Sequence, residues 1–167
     1  MDVARYGQAF KGQGALGSAS RRIQKVEAGV LVRLRGPFGN SLANLGNTLQ
    51  LRRVAGGIGI TPFIAGLRAH PCQQATTLIY LYRSLPDAMF LEELHGLAAE
   101  DPLFELLSEA CGNQDPDVDR LLGQVSRLSE REVQMCGPPP MLATLIAALY
   151  RRGIPSASIH FESFDFR

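Results

Sequence analysis

The chain has 167 residues, of which 46% are hydrophobic and 20% are charged, and its formal net charge is +1. This length is enough for one or two domains, and the charge gives no reason to expect nucleic acid or an acidic membrane surface as a partner. The three cysteines cannot all pair and have no metal-ligand spacing. The longest apolar run, MLATLIAALY, is about half as long as a segment that spans a bilayer. We therefore expect a cytoplasmic globular protein with no disulfide framework, metal site or signal peptide.

The first 44 residues differ from the rest of the chain. The stretch GQAFKGQGALGSAS is rich in glycine, serine and alanine, only residues 30–34 have the pattern of a strand, and GPFGN has turn chemistry. One strand with a few turns does not form a domain by itself. We therefore divide the chain into an N-terminal segment, residues 1–44, and a globular domain, residues 45–167.

Strand and helix patterns alternate from residue 48 onward. Thr61 is the predicted N-cap of the first helix, Pro62 fits its first position, and His70 and Pro71 end it. The segment LFELLSEA fits a strand or a helix, and we take it as a strand. Strands are predicted at 48–57, 75–84, 103–110, 131–137 and 156–164, and helices at 62–69, 87–99, 115–128 and 139–153. This alternation predicts a doubly wound, parallel, five-stranded sheet of the Rossmann-like α/β class.

Three glycines separate the first strand from the first helix, in AGGIGITP. Such a turn exposes backbone N–H groups at a helix N-terminus, where unpaired donors and the helix dipole favour an anion such as phosphate. Glycines also let a ligand approach the backbone without Cβ atoms in the way. The turn matches neither G-x-G-x-x-G nor the P-loop pattern, so a tight turn without a ligand is the alternative.

A second sharp break follows the fourth strand, in VQMCGPPPM. In a doubly wound sheet, ligands bind beyond the carboxyl ends of the strands where the strand order reverses. The first and fourth of five strands are the natural pair to flank that crevice. A dinucleotide would then lie with its phosphates over Gly57 to Thr61 and its reactive ring near Cys136.

Four motifs in this order and spacing, AGGIGITPF, YRS…DAMFLEEL, MCGPPPM and IHFESFDFR, resemble the pyridine-nucleotide domain of the ferredoxin–NADP reductase superfamily. The resemblance covers residues 30–167. ALGSASRRI, GPFG and FESFDFR most resemble the ferric-reductase and NADPH-oxidase-like branch, and soluble oxygenase reductases are a close second. The resemblance implies an NAD(P)H-dependent flavin oxidoreductase that passes hydride to FAD and then single electrons to haem, iron or an iron–sulfur partner.

The resemblance also assigns roles to individual positions. Arg83 and Ser84 would meet the adenosine ribose and its 2′-phosphate, which favours NADPH over NADH, although an arginine at a strand end is often only a solvated charge. Cys136 would border the nicotinamide C4, and the alternative is a small buried side chain. Glu162 and Phe164 would lie beside the flavin ring, and the alternative is that Phe164 closes the core. The other positions assigned to the nucleotide are Gly56, Gly57, Gly59, Thr61, Pro62, Gly137, Pro138 and Met141.

The family combines a flavin-binding barrel with the nucleotide domain, and the barrel's R-x-Y-[ST] strand does not occur in this sequence. Its G-x-x-[ST] turn matches residues 17–20, where Ser20 would meet the flavin pyrophosphate; a flexible linker is the alternative. We expect the C-terminal part of a longer reductase, in which residues 1–44 are a short remnant of the flavin-binding β-barrel and residues 45–167 are the NAD(P)H-binding domain. This part alone is expected to bind nucleotide weakly and not to turn over. In the ferric-reductase branch it would lie on the cytosolic side of a membrane protein that carries the missing flavin and haem parts.

Other interpretations concern the surface and the function. With the barrel missing, apolar surface near Phe38 and Phe164 is expected to be uncovered and to drive homo-oligomer formation. Arg52 and Arg53 are interpreted as solvated, and Phe161 as part of the core. The alternative functions are a reductase component of a soluble oxygenase or ferredoxin system and a nucleotide-binding module without redox activity.

Overall fold

The computed structural model describes residues 25–27, 29–31, 50–113, 116–124 and 132–163. The chain divides into two units, residues 1–40 with 166–167, and residues 41–165. All described strands and helices lie in the second unit. The domain boundary predicted between residues 44 and 45 lies outside the described residues and stays a prediction. The strand predicted at 30–34 is described only at Val30 and Leu31, which are in no strand.

Strands and helices alternate along the described chain, as predicted. The strands are β1 (Gln50–Gly56), β2 (Ala75–Tyr82), β3 (Phe104–Ala110), β4 (Glu132–Gly137) and β5 (Ile159–Ser163). The helices are α1 (Thr61–Ala69), α2 (Leu91–Glu100), α3 (Val118–Gly123) and α4 (Pro139–Arg151). Three 3-10 turns connect them, at Gly57–Ile60, Leu85–Asp87 and Ser156–Ser158. Every strand pair is parallel and the order is β3-β2-β1-β4-β5, so the predicted fold class is confirmed.

Two apolar layers cover the two faces of the sheet. Helices α3 and α4 pack on one face against side chains such as Val54 and Met135. Helices α1 and α2 pack on the other face against side chains such as Leu78 and Tyr80. The 3.6-residue period of α4 places Leu142 on the buried side, as the sequence pattern predicts. No described helix is long and apolar enough to cross a membrane.

The interpretation of Arg52 and Arg53 as solvated side chains is wrong. Both lie in β1, which is the central strand of the sheet, so neighbouring strands and helices cover them. Arg52 is only 6% exposed, and its Nη1 donates a hydrogen bond to the hydroxyl of Thr77. That hydroxyl donates in turn to Oε2 of Glu105 at 2.8 Å. A relay of hydrogen bonds therefore joins a buried guanidinium to an exposed carboxylate across three strands.

Arg53 points to the opposite face of the sheet from Arg52. Its Nε is 3.4 Å from Oε1 of Gln134, and its guanidinium carbon lies 5.7 Å from the centre of the Phe63 ring. Burial lowers the pKa of the Arg53 guanidinium. The sequence did not reveal this environment because alternation alone does not say whether a strand is central or at the edge.

The prediction that Phe161 belongs to the core is also wrong, because its side chain is 54% exposed. In β5, the outermost described strand on its side of the sheet, only Ile159 is buried. Phe161 pairs in register with Met135, but the outer side of β5 has no neighbouring described strand. The next residue towards the N-terminus, His160, has its Nε2 2.6 Å from Oε2 of Glu132. Phe38 and Phe164, where we expect an association surface, lie outside the described residues.

We predict that Thr77→Val lowers the free energy of unfolding by about 1–3 kcal/mol, because it removes the acceptor of a buried arginine. Urea unfolding monitored by circular dichroism measures the change. Thr144→Val is the matched control, since that hydroxyl is exposed and donates to its own helix at the Pro140 carbonyl, 3.1 Å away. The control is expected to change stability by less than about 0.5 kcal/mol. Equal effects of the two substitutions would contradict a structural role for the relay.

Candidate functional site: the carboxyl edge between β1 and β4

The carboxyl ends of β1 and β4 lie side by side. Ala55 pairs in register with Cys136, so Gly56 and Gly137 end the two strands next to each other. β2 continues the sheet on one side of β1 and β4 on the other, which makes this the point where the strand order reverses. The predicted neighbours are therefore confirmed, and this is the edge at which ligands bind in doubly wound sheets.

The glycine turn, Gly57–Ile60, winds as a 3-10 helix directly into α1. Gly56 before it is extended, and Gly57 has a φ of +52°, which a residue with a Cβ atom rarely adopts. The turn therefore places the N-terminal end of the helical segment at the carboxyl edge. This arrangement provides unpaired donors and the positive end of the helix dipole, as an anion requires.

Thr61 is not the N-cap that the sequence predicts. It has helical backbone angles, φ −59° and ψ −43°, and is the first residue of α1. Its hydroxyl donates to the carbonyl of Ile58 at 3.0 Å instead of accepting from a helical N–H. The reason is that the 3-10 turn already supplies one helical turn before Thr61. Pro62 consequently occupies the second helical position, where its missing N–H is also harmless.

The glycines of this edge serve different purposes. A Cβ on Gly59 would lie 2.0 Å from the carbonyl oxygen of Cys136, so Gly59 is required for the turn to pack on β4. A Cβ on Gly56 or on Gly137 would come within 2.5 Å of the Met141 side chain. Only Gly57, of these four, has nothing within 4 Å of the added atom. Backbone packing therefore explains Gly59, whereas Gly56 and Gly137 lie against the flexible end of Met141. Gly57 leaves its backbone accessible to a ligand.

The N-terminus of α4 lies at the same edge but is chemically different. Pro138 is the N-cap, and Pro139 and Pro140 occupy the first two positions, so none of the three has an N–H to donate. The N–H of Leu142 is already bonded to the Pro138 carbonyl at 3.1 Å. The first turn of α4 thus provides few donors for an anion. A phosphate is favoured at the glycine turn, and an uncharged group at α4.

Cys136 and Glu162 are paired in register on β4 and β5 and share the face on which α1 packs. Cys136 is 2% exposed, whereas Glu162 is exposed. Burial, and secondarily the Glu162 charge, raise the pKa of the Cys136 thiol to about 12. The thiol is therefore protonated at neutral pH, and the open functional group at this position is the carboxylate. Phe164 and Ser20, also predicted site residues, lie outside the described residues.

Arg83 and Ser84 follow β2 at the same edge. Arg83 is exposed, and its backbone carbonyl accepts from the N–H of Gly112 at 2.9 Å. The Ser84 hydroxyl donates to Oδ2 of Asp87 at 2.6 Å. A carboxylate consequently lies where the resemblance assigns the 2′-phosphate. The sequence analysis missed Asp87, although its position three residues after a serine at a strand end is the spacing of such a contact.

We predict that Gly59→Ala lowers the free energy of unfolding by about 3 kcal/mol or more, because the new methyl group overlaps a backbone carbonyl that cannot move alone. Thermal unfolding measures the loss. Gly66→Ala is the control within the same helical segment, because an added Cβ meets nothing within 4 Å there. Alanine is the better helix former, so the control is expected to gain about 0.5–1 kcal/mol. A harmless Gly59→Ala would contradict the contact between the turn and β4.

We also predict that Cys136 is the slowest of the three cysteines to react with iodoacetamide. The thiolate is the reactive species, and a pKa of about 12 keeps its fraction low until strongly alkaline pH. Cys72 and Cys111 are only partly buried and are expected to react first. Peptide mass spectrometry after labelling at pH 7, 8 and 9 measures the three rates. Fast labelling of Cys136 at pH 8 would contradict the burial.

The chain was compared with known proteins, and no protein-family model matches it. It is 34% identical over 124 residues to the carnitine monooxygenase reductase subunit of Acinetobacter pittii, a match that covers 74% of this chain and 38% of that protein. It is 26% identical over 155 residues to the reductase component of the propane 2-monooxygenase of Mycolicibacterium goodii, covering 83% and 44%. The chain thus spans well under half of the length of these two relatives.

A solved structure agrees with the fold. The cytochrome b5 reductase domain of Ulva prolifera nitrate reductase superposes with a TM-score of 0.76 at 20% identity, covering 87% of this chain and 64% of that chain. Other relatives include a ferredoxin reductase component and NADH-cytochrome b5 reductases. The homologues and structural neighbours of this chain are therefore ferredoxin–NADP reductase-like proteins.

Proposed function

We propose that this chain binds a nicotinamide dinucleotide across the carboxyl edge between β1 and β4, as the nucleotide-binding part of a flavin-dependent reductase. In the complete enzyme, hydride passes from the nucleotide to FAD, and single electrons pass on to a haem or iron centre. The observation that carries the proposal is the position of the glycine turn: it begins a helix at the point where the strand order reverses. Both features are needed together, since a phosphate site alone would serve many kinds of ligand.

The nicotinamide end of the nucleotide lies at β4 and β5 in this proposal. Cys136 and Gly137 are buried and uncharged, so the end of β4 presents no charged side chain to the ring. The exposed Glu162 carboxylate accepts a hydrogen bond from the carboxamide and favours the positive charge that the ring acquires as hydride leaves. FAD, when bound, supplies the hydride acceptor. Of the residues that the resemblance assigns to the flavin side, Glu162 alone is described.

We propose NADH as the preferred coenzyme, although the sequence analysis favoured NADPH through Arg83. The Asp87 carboxylate, bonded to Ser84, accepts hydrogen bonds from a ribose diol and repels a 2′-phosphate. The exposed Leu85 beside it offers an apolar surface to the adenine ring. Arg83 has no anionic partner among the described hydrogen bonds and ion pairs, and it can still contact the pyrophosphate or the ribose. Arg83 and Asp87 thus have opposite effects on a 2′-phosphate: the guanidinium attracts it and the carboxylate repels it.

The electron acceptor follows from the relatives rather than from this chain's residues. The two oxygenase reductases described above support an oxygenase component as the partner. Ferric iron or a membrane haem, which the sequence analysis preferred, is supported by the resemblance of the terminal motifs alone. A nucleotide-binding module without redox activity is the remaining alternative. It gives no reason for an exposed carboxylate beside the nicotinamide position.

The test is a titration of the chain with NAD⁺ and with NADP⁺, followed by amide chemical shifts. We expect weak binding that favours NAD⁺, with shifts at the glycine turn and at residues 83–87. Asp87→Asn is expected to raise the affinity for NADP⁺ relative to NAD⁺ about tenfold, because it removes a like charge next to the 2′-phosphate.

The matched control is Glu100→Gln, which removes one negative charge from the exposed C-terminal end of α2. This control is expected to leave the NADP⁺ to NAD⁺ ratio unchanged. Absence of binding by either nucleotide would contradict the proposed function. Binding with an unchanged ratio in Asp87→Asn would contradict only the coenzyme assignment.

A further inference from the structure

The loop between β2 and α2, residues 84–90, ends on a residue in an unfavourable conformation. Phe90 has φ +62° and ψ +14°, and it is the one non-glycine residue with positive φ in the described parts of the chain. A bulky side chain disfavours this left-handed region, so the surroundings must hold it there. The carbonyl of Phe90 accepts from the N–H of Leu94 at 2.9 Å and begins α2.

Arg68 of the neighbouring helix contacts both the Phe90 ring and a carboxylate of α2. Arg68 of α1 donates from Nε and Nη2 to the two carboxylate oxygens of Glu93 on α2, at 2.6 and 2.7 Å. The guanidinium carbon of the same arginine lies 5.0 Å from the centre of the Phe90 ring. The guanidinium of Arg68 therefore contacts both a carboxylate and the face of an aromatic ring. We name Arg68, Phe90 and Glu93 the clasp.

The rest of the loop is held by bonds within itself and by packing on the core. Asp87 donates from its N–H to the Ser84 carbonyl at 2.9 Å, and Ala88 donates to Leu85 at 3.0 Å. Residues 88–90 pack against the apolar layer that covers this face of the sheet. The position of the loop therefore depends on β2, on this packing and on the contact of Phe90 with Arg68. The clasp joins the end of the loop to α1, the helix that begins at the glycine turn.

We propose that the clasp holds Ser84 and Asp87 in place for the adenosine ribose, which makes Arg68 a positioning residue for the nucleotide. The inference rests on the proposed function, because it concerns the same ligand. A loop that is already ordered before binding loses less conformational freedom when the ligand arrives. Arg68 therefore contributes to affinity for the adenosine half of the nucleotide without contacting it. The pyrophosphate at the glycine turn does not depend on the loop in this way.

The test compares Arg68→Met with Arg152→Met in the chain as it is. Arg152 also contacts a carboxylate, that of Asp119, but it lies just after α4, which starts at the carboxyl edge and runs away from it. Amide hydrogen exchange in the free protein measures the loop, and chemical-shift titrations measure the binding of 5′-AMP and of inorganic pyrophosphate. Arg68→Lys keeps the positive charge but replaces the planar guanidinium by an ammonium group, and it serves as the conservative variant.

We expect Arg68→Met to speed exchange at Ala88 and Leu94 by about threefold or more and to weaken 5′-AMP binding about fivefold. Pyrophosphate binding is expected to stay within about twofold, and Arg68→Lys to fall between wild type and Arg68→Met. Arg152→Met is expected to change none of these values. A general destabilisation of the fold would instead weaken the binding of 5′-AMP and of pyrophosphate by similar factors.

The outcomes separate this inference from the proposed function. Wild-type protein that binds neither 5′-AMP nor pyrophosphate overturns both. Wild-type binding of both ligands with unchanged 5′-AMP affinity in Arg68→Met overturns the positioning role alone. Unchanged exchange at Ala88 and Leu94 overturns the clasp itself. Equal weakening of the two ligands also overturns the positioning role, because the effect would then not be specific to the adenosine half.

Discussion

The backbone contact between the glycine turn and the end of β4 determines the geometry of the carboxyl edge. Gly59 lies against the Cys136 carbonyl so closely that any Cβ atom would overlap it. The contact sets the distance between the N-terminus of α1 and the strand that carries Cys136. Because β4 also pairs with β5, the same contact fixes where Glu162 lies relative to the helix dipole. The absence of a side chain at Gly59 therefore aligns the proposed anion site with an exposed carboxylate.

The sequence predicted those features of the fold that follow from periodicity and from general topological rules. The alternation of strands and helices was sufficient to predict the parallel sheet. The rule on strand order was sufficient to predict that β1 and β4 are neighbours. The turn itself was predicted less well. Thr61 has the residue type of an N-cap, but the 3-10 turn before it shifts the helical start by one turn. Such a shift depends on how the turn packs on β4, which no local pattern encodes.

Lateral position in the sheet explains the other errors. Arg52 and Phe161 both lie in strands, and the sequence pattern assigned one to solvent and the other to the core. The reverse holds, because β1 is central and β5 is the outermost described strand on its side. A central strand buries even a guanidinium when a neighbouring hydroxyl can accept from it. Asp87 was missed for a different reason. Its proposed role depends on a contact with Ser84, and contacts between loop side chains leave no periodic pattern in the sequence.

The two helix N-termini at the carboxyl edge also explain why a dinucleotide would bind in one direction only. α1 follows a turn in which every residue carries an N–H group, whereas the N-cap and the first two residues of α4 are prolines, which have none. In the proposed site, a pyrophosphate would therefore be stabilised at β1 and not at β4, and the neutral nicotinamide of the reduced coenzyme would meet the proline-rich end. The adenosine half must then extend towards β2, which is the neighbour of β1 on the other side. Ser84 and Asp87 lie there, so the direction proposed for the ligand follows from which backbone nitrogens carry hydrogen.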